Sequence, residues 1–448
     1  MRRSKIVNMT SGNIPMLLLS FAAPMMVGNL FQQLYNMVDS IIVGNFVGAY
    51  ALGAIGACSS LNFMTFGFCN GVSLGVGVVM AQFFGARMEQ EVKKTILNGA
   101  LIVLVITAIF STVCSSLASP ILHLLQTPEA YIQDSIAYFR ITCAGMIGVA
   151  GYNAMAAMLR ALGDSKTPLM FLMLASLLNV VLDLILVLVF HMGVRGVAIA
   201  TILSQMVSAL SCVLYAVKTN PYFRIRREDW KIDWQIIRRC LRLGLPVGLQ
   251  NSLISFSTVS LQGVVNGFGP DTATAYTMTV RLEQLIQQPY ASLSAAISAF
   301  TGQNIGAHQL ERVKKGLHSG IAVTAAFSAL MCLVMHLFGR NILRIFGGDE
   351  IILGIAVKAI GLTSCFYFPL GMIYLIRGLS NGAGDSTQAL LNGIVEILCR
   401  IILALILTRI PALGMWGIWV TTASTWCISA GECILRYRKG VWMKHGLS

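Results

Sequence analysis

Gly163-Asp164-Ser165 returns 221 residues later as Gly384-Asp385-Ser386, and this repetition predicts the fold. The same offset relates polar and glycine positions along much of the chain: Gln82 and Gln303, Gly85 and Gly306, Gly99 and Gly320, Gly193 and Gly414, Thr201 and Thr422. In the first helix of each half the offset is 222, which pairs Pro24 with Pro246. A register held over this length predicts an internal duplication. Within the repeated turn, Gly163 permits a tight bend and Asp164 or Ser165 is expected to cap the next helix.

The composition predicts that most of the chain lies in a membrane. The 448 residues have a mean hydropathy of +0.75, and only 11% are charged, too few to cover the surface of a soluble protein. A spanning helix needs roughly 20 apolar residues. The apolar stretches of this kind are 14–43, 51–83, 96–118, 136–157, 168–190, 194–217, 243–266, 272–302, 317–338, 353–377, 388–408 and 413–435. We therefore predict an all-α membrane protein with twelve transmembrane helices.

Six spans in each half is an even number, so both repeats cross the membrane in the same direction. They are predicted to be parallel repeats related by an axis along the membrane normal. We predict an N-lobe at 1–217, a basic cytoplasmic linker at 218–242, and a C-lobe with a cytoplasmic tail at 243–448. Two such bundles enclose a cavity that opens to either side by rocking. The self-contained duplication favours a monomer.

The net charge of +14 follows the predicted topology. With alternating spans, 24 of the 32 Lys and Arg residues fall on the side of both termini, and only four fall on the other side. The first group includes Arg2, Arg3, Lys5 and Arg227. This is the positive-inside rule, which predicts a multi-pass protein of the inner (plasma) membrane with both termini in the cytoplasm. The expected partner of the basic surface is the membrane lipid and not nucleic acid.

The first predicted span carries a polar stripe at helical spacing. Its members are Asn29, Gln32, Gln33, Asn36, Asp39 and Ser40. The seventh span repeats the stripe with Asn251, Ser255, Thr258 and Gln262. Unpaired polar groups are costly in hydrocarbon, so the stripe faces either a watery cavity or another helix. Because two matched helices carry it, we favour the cavity.

Asp39 and Asp183 lie deep in predicted spans, and neither has a basic residue near it in its own helix. Asn179 stands four residues before Asp183, on the same helical face. Two carboxylates in a low-dielectric site cannot both ionise easily, so such a pair can hold a proton, or Na⁺ among amide and hydroxyl oxygens. The alternative is that both acids only accept interhelical hydrogen bonds. Since Asn179 maps to Arg400 and Asp183 to Ala404, the acid pair is specific to the first half.

The remaining deep ionisable residues give weaker signals. Glu396 and Arg400 are four residues apart on one face and are expected to neutralise each other. The roles of Glu283 and Arg281 stay open. No Ser-His-Asp, HExxH or paired-carboxylate arrangement suggests catalysis, so we expect a protein that is not an enzyme and needs no cofactor.

These features together resemble the MATE (multidrug and toxic compound extrusion) family of secondary transporters. The likeness rests on the six-plus-six spans, the basic central loop, the polar helix ending in Asp39, the turn at 160–168, and Asn179 and Asp183 followed by Thr201. The resemblance implies a V-shaped pair of lobes with alternating access. It also implies export of cationic, amphipathic drugs in exchange for H⁺ or Na⁺.

The resemblance also implies a location for the coupling ion. In one branch of the family the cation is held in the N-terminal lobe by an Asp on span 1, an Asn and an Asp on span 5 and a Thr on span 6. The matching positions here are Asp39, Asn179, Asp183 and Thr201, with Asn153 on span 4 as a fifth member. They are metal ligands only if the ion is Na⁺. A second branch uses acids on spans 7 and 10, but here span 7 has Gln250 and Asn251 and span 10 has no acid.

A drug-binding wall is expected on the same helix as the first acid. The candidates are Asn29, Phe31, Gln32, Tyr35 and Asn36. Aromatic and methionine side chains would bind the apolar body of a drug while Asp39 attracts its cationic head. The alternative function on the same fold is a flippase for a lipid-linked cell-envelope precursor. Such a flippase needs cavity arginines, for which Arg281, Arg377 and Arg400 are available.

Overall fold

The computed structural model describes residues 7–226, 229–347 and 349–444, which form helices and short connections without a β-strand. The helices of the first half are α1 Ile14–Ile42, α2 Ala49–Gly85, α3 Glu89–Ser116, α4 Ala118–Leu124, α5 Ile132–Ala144, α6 Met146–Ala161, α7 Lys166–Leu184 and α8 Gly193–Thr219. Those of the second half are α9 Trp234–Asn266, α10 Pro270–Gly306, α11 Leu310–Arg344, α12 Glu350–Ser364, α13 Tyr367–Ala383, α14 Ser386–Leu407 and α15 Gly417–Arg438. Arg2, Arg3, Lys5 and Arg227 of the predicted charge pattern lie outside the described residues.

The helices confirm the predicted all-α membrane fold. In the described part of the chain, α1, α2, α3, α7, α8, α11 and α14 are long and apolar enough to cross a membrane. Two bent pairs, α5 with α6 and α12 with α13, each take the place of one predicted span. The more polar helices α9, α10 and α15 coincide with the stretches 243–266, 272–302 and 413–435.

The fourth and tenth spans are bent, which the hydropathy pattern did not indicate. The helix axes turn by 43° between α5 and α6 and by 54° between α12 and α13. At the first bend, a Cβ on Gly145 would lie 2.1 Å from Cγ1 of Ile202, so a residue of α8 occupies the space beside the break. When a bend is set by packing against another helix, the only sequence feature at the bend is the glycine.

The contacts divide the chain into two compact units whose limits differ from the predicted lobes. The first unit comprises the residues up to Met9 together with Ala23–Ser252, and the second comprises Thr10–Ala22 and the chain from Leu253 onward. The beginning of α1 thus belongs to the second unit, and the beginning of α9 belongs to the first. Residues 234–242, predicted as linker, form the first turns of α9.

Glycines on α2 explain why the first unit retains the start of α9. A Cβ on Gly71 would lie 2.2 Å from the backbone nitrogen of Gly248, and one on Gly75 would lie 2.6 Å from that of Gly244. The two backbones therefore touch at pairs of facing glycines. Small residues permit this close approach of helices in membranes.

The two copies of the repeated turn have the same backbone and different side-chain partners. Gly163 and Gly384 both have positive φ, +83° and +90°. Asp164 accepts hydrogen bonds from the backbone N–H groups of Lys166 (3.1 Å) and Thr167 (3.0 Å), so it is Asp164 that caps α7. In the second unit, the counterpart Asp385 instead accepts hydrogen bonds from the side chain of Arg436 on α15.

Candidate functional site

Asp39 and Asp183 meet inside the first unit, where α1 and α7 end. Their carboxyl groups lie within hydrogen-bonding reach of each other, and the side chain of Asp183 is fully buried. Each helix continues after its acid into a five-residue π-helical segment, Val43–Val47 after α1 and Ile185–Val189 after α7. These segments contact each other and α8. Single π turns are rare in proteins and occur often at functional sites.

Asn179 and Thr201 extend this group into a set of oxygen atoms. The Thr201 hydroxyl donates to the carbonyl of Val197 (3.0 Å), and Nδ2 of Asn179 donates to Oγ1 of Thr201 (3.4 Å). Among the described residues, no hydrogen bond reaches the buried oxygens Oδ1 of Asn179, Oδ1 and Oδ2 of Asp183, or Oδ1 of Asp39. Since an ionised carboxylate only accepts hydrogen bonds, this arrangement lacks donors. A proton shared by the carboxyl groups, or a hard cation bound by these oxygens, would satisfy the acceptors that have no donor.

The four side chains of Asp39, Asp183, Asn179 and Thr201 do not resemble a transition-metal site. The described part of the chain holds no group of three or more His, Cys, Asp or Glu side chains placed to bind a metal ion. Two carboxylates, one amide oxygen and one hydroxyl oxygen are instead the ligand types that a hard cation prefers. These residues therefore fit either one shared proton or Na⁺.

Gln205 and Tyr138, two residues near the acids, were not predicted from the sequence, whereas Tyr35 was a candidate for drug binding. The side chain of Tyr35 lies close to those of Gln32 and Gln205, and it is close enough to both acids to interact with them electrostatically. Tyr138 on α5 is buried and interacts with both acids in the same way. Gln205 follows Thr201 by four residues on α8, a spacing that could have identified it. Tyr138 carries no such signal.

The other predicted binding residues divide into inward and outward side chains. Tyr35 is only 9% exposed, whereas Phe31 is 40% exposed and Asn36 is also exposed. Asn29 and Gln32 are half-buried. Asn153 on α6 is half-buried too, and no hydrogen bond between described residues joins it to the acids. The face of α1 before Asp39 is thus accessible at Phe31 and Asn36 and closed at Tyr35.

The second unit carries a separate buried ionic network. The predicted pairing of Glu396 with Arg400 is confirmed, with 3.0 Å between Oε1 and Nη2. Nη2 of Arg377 lies 3.6 Å from Oε2 of the same glutamate, so two arginines share one carboxylate. Glu283, whose role the sequence left open, accepts a hydrogen bond from the hydroxyl of Thr363 at 2.7 Å. Arg281 is exposed.

Comparison with known families decides what kind of protein this is. The family model described as MatE matches residues 24–185 and, a second time, residues 246–406. The chain belongs to the MatE family. The two matched segments begin 222 residues apart and end 221 residues apart, so they reproduce both the duplication and its one-residue shift.

Relatives and solved structures of the MatE family agree along almost the whole chain. The probable multidrug resistance protein YpnP of Bacillus subtilis is 29% identical over 445 residues, 98% of each chain. The probable multidrug resistance protein NorM of Thermotoga maritima is 24% identical over 436 residues, 96% of this chain and 93% of its own. An outward-facing multidrug resistance MATE family transporter has the same fold, with a TM-score of 0.92 at 22% identity over 99% of each chain. The protein is therefore a membrane transporter of the MatE family and not an enzyme.

Proposed function

We propose that this MatE exporter moves cationic, amphipathic compounds outward in exchange for H⁺ or Na⁺ held in the first unit. The observation that carries the proposal is the contact between Asp39 and Asp183, surrounded by buried oxygens that receive no hydrogen bond from described residues. The ion site comprises these acids with Asn179 and Thr201, and Asn153 is a further candidate on α6. On this proposal the protein belongs to the branch of the family with its coupling site in the N-terminal lobe.

The exposed side chains on α1 support an exchange of drug for ion. Phe31 and Asn36 are exposed on α1, the helix that carries Asp39, and Asn29 and Gln32 are half-buried on the same helix. A cationic compound bound beside these residues is attracted by the ionised carboxylate of Asp39. Once a proton or Na⁺ neutralises the acids, that attraction is lost and the compound can leave. Alternating access exposes the residues first to one side of the membrane and then to the other.

The side-chain orientations support both candidate ions. The Thr201 hydroxyl donates to Val197, and Nδ2 of Asn179 donates to Oγ1 of Thr201. The amide oxygen of Asn179 and the second lone pair of Oγ1 of Thr201 therefore remain available to a ligand. A shared proton needs only the two carboxyl groups. Na⁺ would use Asp39, Asp183, Asn179 and Thr201, because a hard cation needs several oxygen ligands.

The orientation and assembly state also belong to the proposal. From the bias of Lys and Arg between alternate connections we infer a protein of the inner membrane with both termini in the cytoplasm. From the self-contained duplication we infer a monomer. The flippase alternative has less support. Arg377 and Arg400, two of the arginines it would use, are both paired with Glu396.

The test is dye transport by the full-length protein in proteoliposomes, with a pH gradient and a Na⁺ gradient imposed separately. We expect one of the two gradients to drive transport by the wild type and to have no effect on Asp183→Asn. The matched control is Asp134→Asn, which makes the same change at an exposed position of α5 and should transport like the wild type. Gradient-driven transport by Asp183→Asn at the wild-type rate would refute the ion site. If the correctly folded wild type moves no dye, the proposal that the protein exports organic cations is refuted.

A further inference from the structure

Three large apolar side chains stand out from the segment that leads into α9. Trp230 is 72% exposed, Ile232 is 62% exposed and Trp234 is 74% exposed. Residues 230–233 have no regular secondary structure, and Trp234 is the first residue of α9. The three exposed side chains occupy alternate positions 230, 232 and 234, and we call them the tryptophan row. Soluble surfaces rarely expose such a row unless it contacts a partner or a membrane.

Asn98 of α3 holds the backbone of this segment from the opposite side. Its Oδ1 accepts from the N–H of Asp233 (3.0 Å), and its Nδ2 donates to the carbonyl of Lys231 (3.2 Å). Asp233 in turn accepts from the backbone N–H groups of Gln235 (3.0 Å) and Ile236 (3.2 Å), so it caps α9. Asn98 is only 2% exposed. The backbone of the segment is thus fixed to α3 at Lys231 and Asp233, while the side chains of the tryptophan row remain exposed.

The attachment also sets the depth of the row. Asn98 lies at the start of the apolar stretch 96–118 of α3, directly after the charged residues Lys93 and Lys94. A segment clamped there lies where the protein surface changes from charged to apolar. Tryptophan is enriched at this level of membrane proteins, because its ring is apolar and its N–H is polar.

Exposed basic residues occur in the same segment as the row, and the nearby acids are bonded to the backbone of that segment. Arg226, Lys231 and Arg238 are exposed. Asp229 accepts a hydrogen bond from the backbone N–H of Arg226 (2.8 Å), and Asp233 caps α9. Residues 218–242 contain eight Lys and Arg against three Asp and Glu. A row of apolar rings bordered by cations is complementary to acyl chains bordered by anionic phosphates.

We propose that the tryptophan row, with Arg226, Lys231 and Arg238, is a binding site for anionic phospholipid on the cytoplasmic leaflet. The rings enter the boundary between headgroups and acyl chains, and the cations bind the phosphates. A soluble protein partner would also need an apolar and basic surface, but the depth set by Asn98 favours the lipid. This lipid site does not depend on the acid pair Asp39 and Asp183 or on the direction of transport.

The test uses the full-length protein in nanodiscs made of phosphatidylcholine alone or mixed with phosphatidylglycerol. Quenching of tryptophan fluorescence by lipids brominated near the headgroup is compared between the wild type and Trp230→Phe/Trp234→Phe. The difference isolates these two rings from the other four tryptophans of the chain. We expect the fluorescence of Trp230 and Trp234 to be quenched by both brominated lipids, and more strongly by brominated phosphatidylglycerol.

Charge removal tests the basic part of the site. Lys231→Gln/Arg238→Gln should lower the preference for phosphatidylglycerol by roughly fivefold for each charge, because one cation near an anionic surface contributes about that factor. The matched control Lys358→Gln/Arg409→Gln removes two exposed charges elsewhere and should keep the preference. Asn98→Ala should weaken the quenching by both lipids, since it releases the segment. If aqueous iodide quenches Trp230 and Trp234 while neither lipid does, the row faces water and the proposal is wrong.

Discussion

The carboxyl group of Asp183 lies against that of Asp39, and the described residues donate no hydrogen bond to either oxygen of Asp183. Burial of a carboxylate beside another acid, without donors, is costly unless a proton or a cation joins them. The second unit shows the opposite solution, because Glu396 is compensated by two arginines. In the part of the chain that the structure describes, the acid pair of the first unit thus lacks the basic partners that Glu396 has in the second unit.

Asp183→Asn should stabilise the first unit when both acids would otherwise be ionised. The amide supplies the donor that the carboxylate of Asp39 lacks and removes one buried charge. We expect a gain of about 1–3 kcal/mol at alkaline pH without Na⁺, the usual cost of an unsatisfied buried polar group. Thermal unfolding as a function of pH measures it. Asp134→Asn, at an exposed position, should change the unfolding temperature little at any pH, and an Asp183→Asn variant less stable than the wild type at alkaline pH would contradict the argument.

Thr201→Val should distinguish between the two candidate ions. Valine keeps the shape of threonine and removes the oxygen that would bind Na⁺. If Na⁺ is the coupling ion, we expect its stabilisation of the protein to require about tenfold more Na⁺, a loss of about 1.4 kcal/mol. If the ion is H⁺, the variant should keep transport driven by a pH gradient. Thr201→Ser retains the hydroxyl and is the control, and equal loss in both variants would exclude a role for the oxygen.

The polar part of the candidate site was predictable because it follows from local spacing and from the repeat. Helical periodicity joins Asn179 to Asp183, and comparison of the two halves showed that Asp183 has no acidic counterpart. The turn at Gly163 and the close packing of glycines likewise depend on features that a sequence displays directly. The number and order of the spans follow from hydropathy, because the bilayer imposes one length on each.

The remaining features depend on which distant helices meet. At Gly145 the bend lies beside Ile202 of α8, and Tyr35 lies close to Gln205 of the same helix. The π-helical turns after α1 and α7 follow no composition rule. The limits of the two units fall within α1 and α9, where the apolar pattern is continuous. Periodicity indicates which face of a helix is buried, but not which other helix packs against that face.

Gly71→Ala tests whether the facing glycines of α2 and α9 are required. The new methyl group would lie 2.2 Å from the backbone nitrogen of Gly248, and backbone atoms cannot move aside as a side chain can. We expect a destabilisation of about 2–3 kcal/mol, as for overpacking in a tight core. Gly56→Ala makes the same change on the same helix, where no atom lies within 4 Å, and should be neutral or slightly stabilising. Equal thermal stability of the two variants would show that the helices separate at little cost.

Arg436→Met should cost far more than the loss of an exposed ion pair, because Asp385 is only 1% exposed. Arg436 donates to this carboxylate from Nε (3.0 Å) and Nη2 (2.8 Å), which joins the repeated turn of the second unit to α15. Removing the arginine leaves a buried carboxylate without its charge partner, so we expect a loss of about 3–5 kcal/mol in the free energy of unfolding.

Two further variants distinguish the penalty of the unpaired charge from lost packing. Arg436→Met/Asp385→Asn removes the charge together with its partner and should recover part of the stability, since the buried carboxylate is then absent. Arg340→Met breaks the exposed pair with Glu350, whose side chains are 57% and 67% exposed, and should cost less than about 1 kcal/mol. Denaturant titration of the three variants measures all the differences. If the double variant is no more stable than Arg436→Met, the arginine acts through packing, and the charge of Asp385 contributes little to its cost.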